Sequence, residues 1–416
     1  MSERSERHVV AYLAFMGILL AFGIDAALPA YDELRAAFDL EPESNRITLI
    51  VTLYFFGMAA GQLIYGPVSD RFGRVAVLRA GILLYCLGAI GSIVAPTFGA
   101  LLVSRLVWGL GAAAPGVLRA AIARDLYAGN QMARVISVMM GVFMLGPVLA
   151  PIAGEGILRL ASWEWVFGSA LLLAAALFAW TFRFGETLDP TNRRPLDLRA
   201  TADGFRLVFG SRVTLGYTLA LTFGFGGFIV FLGSAQPVID NIYGRGDQFV
   251  FWFSAAAVLM ALMFFSVNRF IDRHGAHRVA VTVAAAAVAL STLLLLVALV
   301  DDGVPPFPAW ILLIGLANAF TTMLAPTCYA LGLEPMGALA GTASAVMGFV
   351  STAGGSALAA VVDAAIDDTV TPMAMGYVVY GSIALASLLW AGAAASATDS
   401  VSAVPSPASA SRKPPS

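Results

Sequence analysis

The sequence predicts an all-α membrane protein, and three observations support that prediction. Of its 416 residues, 59% are hydrophobic and only 12% are charged. In an average soluble domain, about 45–50% of the residues are apolar and about 25% are charged. The apolar residues form continuous runs of about 20, the length that a helix needs to cross a bilayer. These runs do not alternate as the roughly ten-residue strands of a membrane β-barrel would.

Twelve apolar segments are long enough to cross a bilayer. They cover residues 9–32, 46–66, 76–96, 98–122, 133–158, 164–183, 213–238, 249–269, 278–300, 308–332, 340–364 and 373–395. The first is longer than a signal-peptide core and eleven more follow it, so we expect it to remain uncleaved.

Composition excludes several classes of protein. The two cysteines, Cys86 and Cys328, lie in apolar runs, which excludes a disulfide scaffold. The formal net charge of −2 indicates no nucleic-acid partner. The only lysine is Lys413, so the chain has no GxxxxGK[ST] loop and cannot hydrolyse ATP by that chemistry. The three histidines, His8, His274 and His277, fall at the cytoplasmic ends of spans and predict no metal site, and we expect no cofactor.

The basic residues are unevenly distributed among the segments that join the spans. If the N-terminus lies inside, 19 of the 24 Lys and Arg residues fall on the inner side, and Arg105 lies within a span. The outer side holds Arg35, Arg46, Arg159 and Arg245. Positive charge favours the cytoplasmic side of a membrane, so we expect both termini to be cytoplasmic.

A polar segment at 185–211 separates six spans from six. We expect an N-terminal bundle at 1–184, a cytoplasmic linker at 185–211, a C-terminal bundle at 212–396 and, because of its Ser, Ala and Pro content, a disordered tail at 397–416. A charged loop recurs after the second span of each half, at an offset of 202 residues. Two parallel six-helix repeats are typical of the major facilitator fold.

The repeated loop reads GPVSDRFGR in the first half and NRFIDRHGA in the second. We expect Gly and Pro to end the second helix. We expect the charged residues of the loop to hold neighbouring helix ends together by charge pairing and to release them when the halves move. The residues predicted to act as this switch are Gly66, Asp70, Arg71, Gly73, Arg74, Asp272 and Arg273. One copy alone would be explained equally well by arginines that only fix the topology, but the second copy favours the switch.

Asp25 lies about two-thirds of the way along the first span. A carboxylate at bilayer depth costs roughly 2.5–3.5 kcal/mol on insertion scales, so it usually faces a cavity and serves function. A low dielectric disfavours the charged form, which makes Asp25 a candidate proton site. The alternative is a position at the outer interface, beside Asp32 and Glu33.

Arg105 is the only basic residue predicted inside a span. Gly109, Ala112 and Gly116 follow it on the same helix face, and small residues let helices approach closely. An arginine cannot neutralise itself by losing a proton, so it needs a partner, and Asp25 is the leading candidate.

The fifth span contains Gly146, Pro147, Pro151 and Glu155. Prolines free backbone carbonyls and bend helices, so we expect this span to flex where the halves meet. Glu155 is near the outer end, where a solvated carboxylate is as good an explanation as a cavity group.

Three more residues complete the predicted proton or substrate site. Trp108 follows Arg105 by three residues, and Gln236 and Asn318 are polar residues within later spans. Gln62 and Asp363 are further polar positions inside spans. For the aromatic residues, helix packing or lipid contact is the stronger explanation.

The sequence resembles the drug–proton antiporters of the major facilitator superfamily. The likeness rests on GPVSDRFGRVAVL at 66–78, the arginine segment at 105–114 and the fifth-span segment at 141–156. Segments at 24–30, 61–70, 119–127 and 233–244 narrow it to the bicyclomycin/chloramphenicol-resistance (Bcr/CflA) subfamily. It covers residues 15–395 and is thinner in the second half.

The resemblance implies roles for particular residues. Asp25 would be the first-helix acidic site for a proton or a cationic substrate, and Arg105 the arginine linked to proton exchange. Asp70, Arg74 and Asp125 would form the inner charge network that stabilises the outward-open form.

The chain also departs from the family pattern. Trp108 stands where glutamine is common, Glu155 where glycine is usual, and Val75 where the loop usually has a basic residue. These departures concern the substrate range more than the mechanism.

We expect a monomeric exporter, not an enzyme, that moves small hydrophobic drugs or toxic compounds across the bacterial cytoplasmic membrane in exchange for protons. Its partners would be the small-molecule substrate, protons and the lipid bilayer. One alternative is a proton-coupled transporter of a specific metabolite with the same fold. Another is a membrane receptor or assembly factor that transports nothing.

Overall fold

The computed structural model describes residues 6–402, except 194 and 197. Within these residues, twelve helices are long and apolar enough to cross a membrane, and there is no β-strand. The predicted all-α class is confirmed.

We number these helices α1 to α12 in chain order. They are α1 Glu6–Ala37, α2 Asn45–Phe72, α3 Arg74–Ile93, α4 Phe98–Leu126, α5 Arg134–Leu158, α6 Trp163–Phe184, α7 Arg212–Ile242, α8 Gly246–His274, α9 Ala276–Val300, α10 Phe307–Gly337, α11 Ala340–Ala365 and α12 Thr371–Ala395. Each overlaps the span predicted for it, with bounds that differ by a few residues.

Two helices of the first half are interrupted within the bilayer. The first α-helical part of α1 ends at Asp25, and a short 3-10 turn at Leu28–Ala30 leads into a second α-helical part at Tyr31–Ala37. Helix α5 is broken at Leu145, two residues before Pro147, whose ring nitrogen cannot donate a hydrogen bond. Pro151 lies inside the following helical segment without breaking it.

Small residues hold α4 against its neighbours, as the stripe below Arg105 predicted. A Cβ on Gly109 would lie 1.8 Å from the backbone oxygen of Tyr54, on α2. A Cβ on Gly111 would lie 2.2 Å from the backbone nitrogen of Tyr85, on α3. Only glycine permits these distances, so backbone contacts fix the position of α4 in the first half.

Helices of the two halves meet mainly in the pairs α2 with α11 and α5 with α8, and α7 also contacts α1 and α2. The segment between the halves contains a helix at Leu198–Gly210, which the sequence analysis did not predict. It packs on α11, where the Phe205 and Phe349 ring centres are 5.9 Å apart.

The helix that contains α12 runs to Ser402. Residues 397–402, where a disordered tail was predicted, continue this helix. Residues 403–416 of the predicted tail lie outside the described residues.

We predict that Gly109→Ala lowers the free energy of unfolding by about 1–3 kcal/mol, the usual cost of overpacking. The new methyl group would displace the α2 backbone at Tyr54. Thermal unfolding of the purified protein in detergent measures this. Gly156→Ala is the matched control, because no atom lies within 4 Å of its added Cβ; equal melting of both variants would contradict the prediction.

Candidate functional site

Arg74 is the centre of a charge network on α2, α3 and α4. Its Nε donates to Asp125 Oδ2 at 2.9 Å, and its Nη1 donates to Asp70 Oδ1 and to Ser69 Oγ. Ser69 Oγ in turn donates to the Gly66 carbonyl at 2.8 Å. The geometry therefore brings together most of the residues predicted for the first loop.

The turn of this loop differs from the expected one. Helix α2 passes through Pro67 and ends at Gly73, whose φ of 101° is in the region that favours glycine. Arg71 lies on the exposed side, with its guanidinium 5.7 Å from the Phe72 ring centre. The prediction that Gly66 and Pro67 end the helix is thus wrong.

Glu186 is a member of this network that sequence reasoning missed. Its carboxylate accepts hydrogen bonds from the backbone nitrogens of Arg74 at 2.8 Å and Val75 at 3.1 Å. These are the first two residues of α3, where free N–H groups and the helix dipole attract an anion. The only sequence signal was an acidic residue two positions after α6.

The second copy of the loop repeats the turn without the network. Gly275 has a φ of 81°, which lies in the same glycine-favouring region as the φ of Gly73 in the first copy. Ala276 stands in the position of Arg74, and among the described residues Asp272 and Arg273 form no ion pair. Both side chains are exposed. The two loops therefore share the conformation of their backbone, but only the loop of the first half has paired charges among the described residues.

Arg105 is fully buried within the first half. Its Nε donates to the Ile50 carbonyl and its Nη1 to the Gly23 carbonyl, both at 3.0 Å. The guanidinium carbon lies 4.7 Å from the Tyr54 ring centre and 4.9 Å from that of Trp108. Backbone oxygens and aromatic faces therefore replace the carboxylate partner that we expected.

Asp25 is 2% exposed, whereas the Asp32 side chain is 58% exposed. This favours the intramembrane position over the outer interface. Its Oδ1 has no hydrogen-bond partner. The predicted Asp25–Arg105 ion pair is absent from the described contacts, because Arg105 binds the Gly23 carbonyl two residues earlier.

Trp108 belongs to the aromatic core around Arg105. Its ring centre lies 5.4 Å from those of Tyr85 and Phe167, in edge-to-face contacts. Packing is therefore its role in this conformation.

A cavity of about 770 Å³ lies between the two halves, at the end of the bundle that carries Asp70; we call this the linker end. Gln62 lines it from the first half and Tyr329 from the second. Its volume is in the range of small-molecule sites. Leu20 on α1 also lines the cavity, five residues before Asp25, but Asp25 and Arg105 themselves do not.

Arg119 lines the same cavity and was not predicted as a site residue. It is 8% exposed, and its guanidinium carbon lies 4.8 Å from the Phe143 ring centre. Its Nη1 has no hydrogen-bond partner. In the sequence it stood at the inner end of a span and looked like a topology-fixing arginine.

The halves are joined at the opposite end, which we call the distal end. Asn45 of α2 donates to the Ile366 carbonyl just after α11. Gln236 Nε2 of α7 lies 3.5 Å from Asp32 Oδ2 and 3.3 Å from Asp240 Oδ2. The structure thus has its cavity at the linker end and these polar contacts between the halves at the distal end. Gln62 Nε2, which lines the cavity, also donates across the halves to Thr352 Oγ1 at 3.1 Å.

Two other predicted site residues lie away from the linker-end cavity. Glu155 is paired with Arg159 and lines a separate distal pocket of about 250 Å³, together with Gln236. Asn318 Nδ2 donates to the Tyr377 hydroxyl at 2.9 Å, and that hydroxyl donates to the Gly227 carbonyl. Asn318 therefore ties α10 to α12 and α7 within the second half.

These features define a class: a twelve-helix membrane transporter whose two six-helix halves enclose a cavity, with ionisable groups buried beside it. Comparison with known families agrees. The sequence model of the Major Facilitator Superfamily matches residues 13–360, and the chain belongs to that family of transporters.

Two named relatives match most of the chain, and a third matches about two thirds of it. A bicyclomycin resistance protein homolog of Haemophilus influenzae is 35% identical over 378 residues, covering 89% of this chain and 92% of the relative. Multidrug resistance protein D of Escherichia coli is 26% identical, and the match covers 84% of this chain and 88% of the relative. A chloramphenicol resistance protein of Pseudomonas aeruginosa is 29% identical over 65% of this chain and 64% of its own length.

Solved structures show the same fold at low sequence identity. A D-xylose–proton symporter superposes with a TM-score of 0.70 at 18% identity, over 93% of this chain and 97% of the symporter. A human organic anion transporter superposes with a TM-score of 0.66 at 20% identity, over 94% of this chain and 100% of that transporter.

We predict that Glu186→Ala lowers the free energy of unfolding by about 1–2 kcal/mol, because the start of α3 loses its capping carboxylate. Asp203→Ala in the exposed linker helix is the control, since its ion pair with Arg206 is solvent-exposed. Thermal unfolding in detergent compares the two. Equal melting temperatures would show that the Glu186 contacts do not stabilise the fold.

Proposed function

We propose that this protein exports small, mostly hydrophobic drugs or toxic compounds across the bacterial cytoplasmic membrane, driven by proton entry. The observation that carries the proposal is a drug-sized cavity between the halves, lined on α1 by Leu20. Five residues further along the same helix lies Asp25, a buried carboxyl with an oxygen that has no hydrogen-bond partner among the described residues. The names of the resistance relatives support drugs as the substrate class.

The proposed cycle is alternating access by two moving units, residues 1–184 and 212–396, joined by 185–211. The basic residues counted above support cytoplasmic termini and hence a cytoplasmic linker end. The described conformation would then be inward-facing, with the cavity at the linker end and the halves joined at the distal end. The break in α5 at Leu145 supplies a bend where α5 meets α8. We propose a monomer as the working unit.

Asp25 would carry the exchanged proton. Its burial without a counter-ion favours the neutral form, and a bound substrate or entering water would favour release. Arg105 would act as a positioning residue, because its hydrogen bond to the Gly23 carbonyl holds the helix end on which Asp25 lies. The network around Arg74 would fasten the helix ends of the first half as that half moves.

A transporter of one specific metabolite is the second candidate, and Arg119 favours it. A buried cation that lines the cavity without a carboxylate partner suits a substrate with an anionic group. A substrate panel separates the candidates: one saturable acidic metabolite and no multidrug phenotype would favour the metabolite transporter.

We predict that Asp25→Asn abolishes proton-driven efflux and returns an efflux-deficient host to the drug susceptibility of the empty vector. Inhibitory concentrations of chloramphenicol and bicyclomycin measure this in cells, and drug uptake into everted vesicles measures it directly. Asp39→Asn is the matched control, because it removes the same charge from an exposed position in the loop after α1.

Efflux that survives both Asp25→Asn and collapse of the pH gradient would overturn the proposal. Loss of efflux in Asp39→Asn as well would show that the assay responds to any lost carboxylate.

We predict that Arg105→Lys lowers transport by roughly tenfold or more, because one ammonium cannot reproduce a two-armed, ring-stacked guanidinium. The positive charge is retained, so the loss would report geometry. Initial rates in everted vesicles measure it, with Arg183→Lys at the exposed end of α6 as control. Full activity of Arg105→Lys would refute the positioning role.

A further inference from the structure

Asp363 is a buried carboxyl in the second half that the proposed cycle does not use. It lies on α11, two residues before its end, and is 1% exposed. Its Oδ1 accepts a hydrogen bond from Ser234 Oγ of α7 at 2.6 Å. Its Oδ2 has no hydrogen-bond partner among the described residues. An ionisable group buried at this depth is rare in membrane proteins and usually functional.

The groups around Asp363 in the described part of the chain are mainly hydroxyls. The titratable groups that face it are the hydroxyls of Tyr31 from α1 and of Tyr377 and Tyr380 from α12. Among the described residues, Asp363 takes part in no ion pair. An ionised carboxylate here would be uncompensated, whereas a neutral carboxyl costs far less to bury.

Asp363 also lies where the halves join at the distal end. A Cβ on Gly233 of α7 would be 3.2 Å from Asp363 Oδ2 and 3.5 Å from the Cβ of Thr48, which belongs to the first half. Three residues beyond Asp363, the Ile366 carbonyl accepts the hydrogen bond from Asn45. Separation of the halves at this end would therefore bring water to Asp363.

We propose that Asp363 is a second proton-binding site, which must take up a proton from the distal solution before the distal end can close. The proton binds at the unpartnered Oδ2, and opening the end lets water solvate the carboxylate so that the proton can leave. This inference rests on the proposed alternating-access cycle and gives it a proton-dependent gate separate from Asp25.

Spin-label distances across the distal end test the gate without any drug. Labels at Glu43→Cys and Asp367→Cys are both exposed, one in each half, in a Cys86→Ser background. Electron paramagnetic resonance of the full chain in nanodiscs would be recorded between roughly pH 5.5 and 9, the range in which a buried carboxyl can titrate. We expect the short-distance population to fall as the pH rises.

Asp363→Asn should keep the distal end closed at all these pH values, since the amide cannot ionise. Asp363→Glu should retain a pH-dependent transition, which guards against a variant that is simply misfolded. Asp368→Asn, an exposed carboxyl five residues along, is the matched control and should behave as the parent chain does.

A parent chain without pH dependence, or an unchanged transition in Asp363→Asn, would overturn the proposal. The transition should persist in Asp25→Asn, and its loss there would assign the proton to Asp25 instead. Absence of drug efflux with an intact transition would refute the export function alone, because the distances require no substrate.

Discussion

The first half is organised around one buried guanidinium. Arg105 cannot lose its charge in the bilayer, and it satisfies that charge with the carbonyls of Gly23 and Ile50 and the faces of Tyr54 and Trp108. One side chain on α4 thus fixes the end of the first α-helical part of α1 and the first turns of α2. The glycine contacts that bring α4 close to α2 and α3 make this reach possible.

The two halves share a backbone plan but use different chemistry. The first half is held by charged groups: Arg105 in its interior and Arg74 with its carboxylates at the linker end. The interior of the second half is held by neutral hydroxyl and amide bonds, as between Asn318, Tyr377 and the Gly227 carbonyl. The repeated loop shows the difference most directly, since replacing Arg74 by Ala276 preserves the turn and removes the network.

Hydropathy alone predicted the twelve helices, because the bilayer dictates the length and composition of each span. The small-residue stripe after Arg105 predicted close packing of α4, because small side chains let neighbouring helix backbones approach. The partner of Arg105 was not predictable, because backbone carbonyls have no sequence signature. Glu186 was missed because it reaches α3 across 112 residues of chain, and Arg119 because burial of a helix-end arginine depends on how α5 packs over it.

The contacts of Glu186 and of the linker helix limit how far the halves can separate. Glu186 is fastened to the start of α3, and residues 198–210 form a helix that packs on α11. Only residues 187–197 join these two anchors, and eleven residues span at most about 36–40 Å when fully extended. The connection is therefore a short tether with one anchor in each half. Its length sets an upper bound on how wide the cavity can open at the linker end.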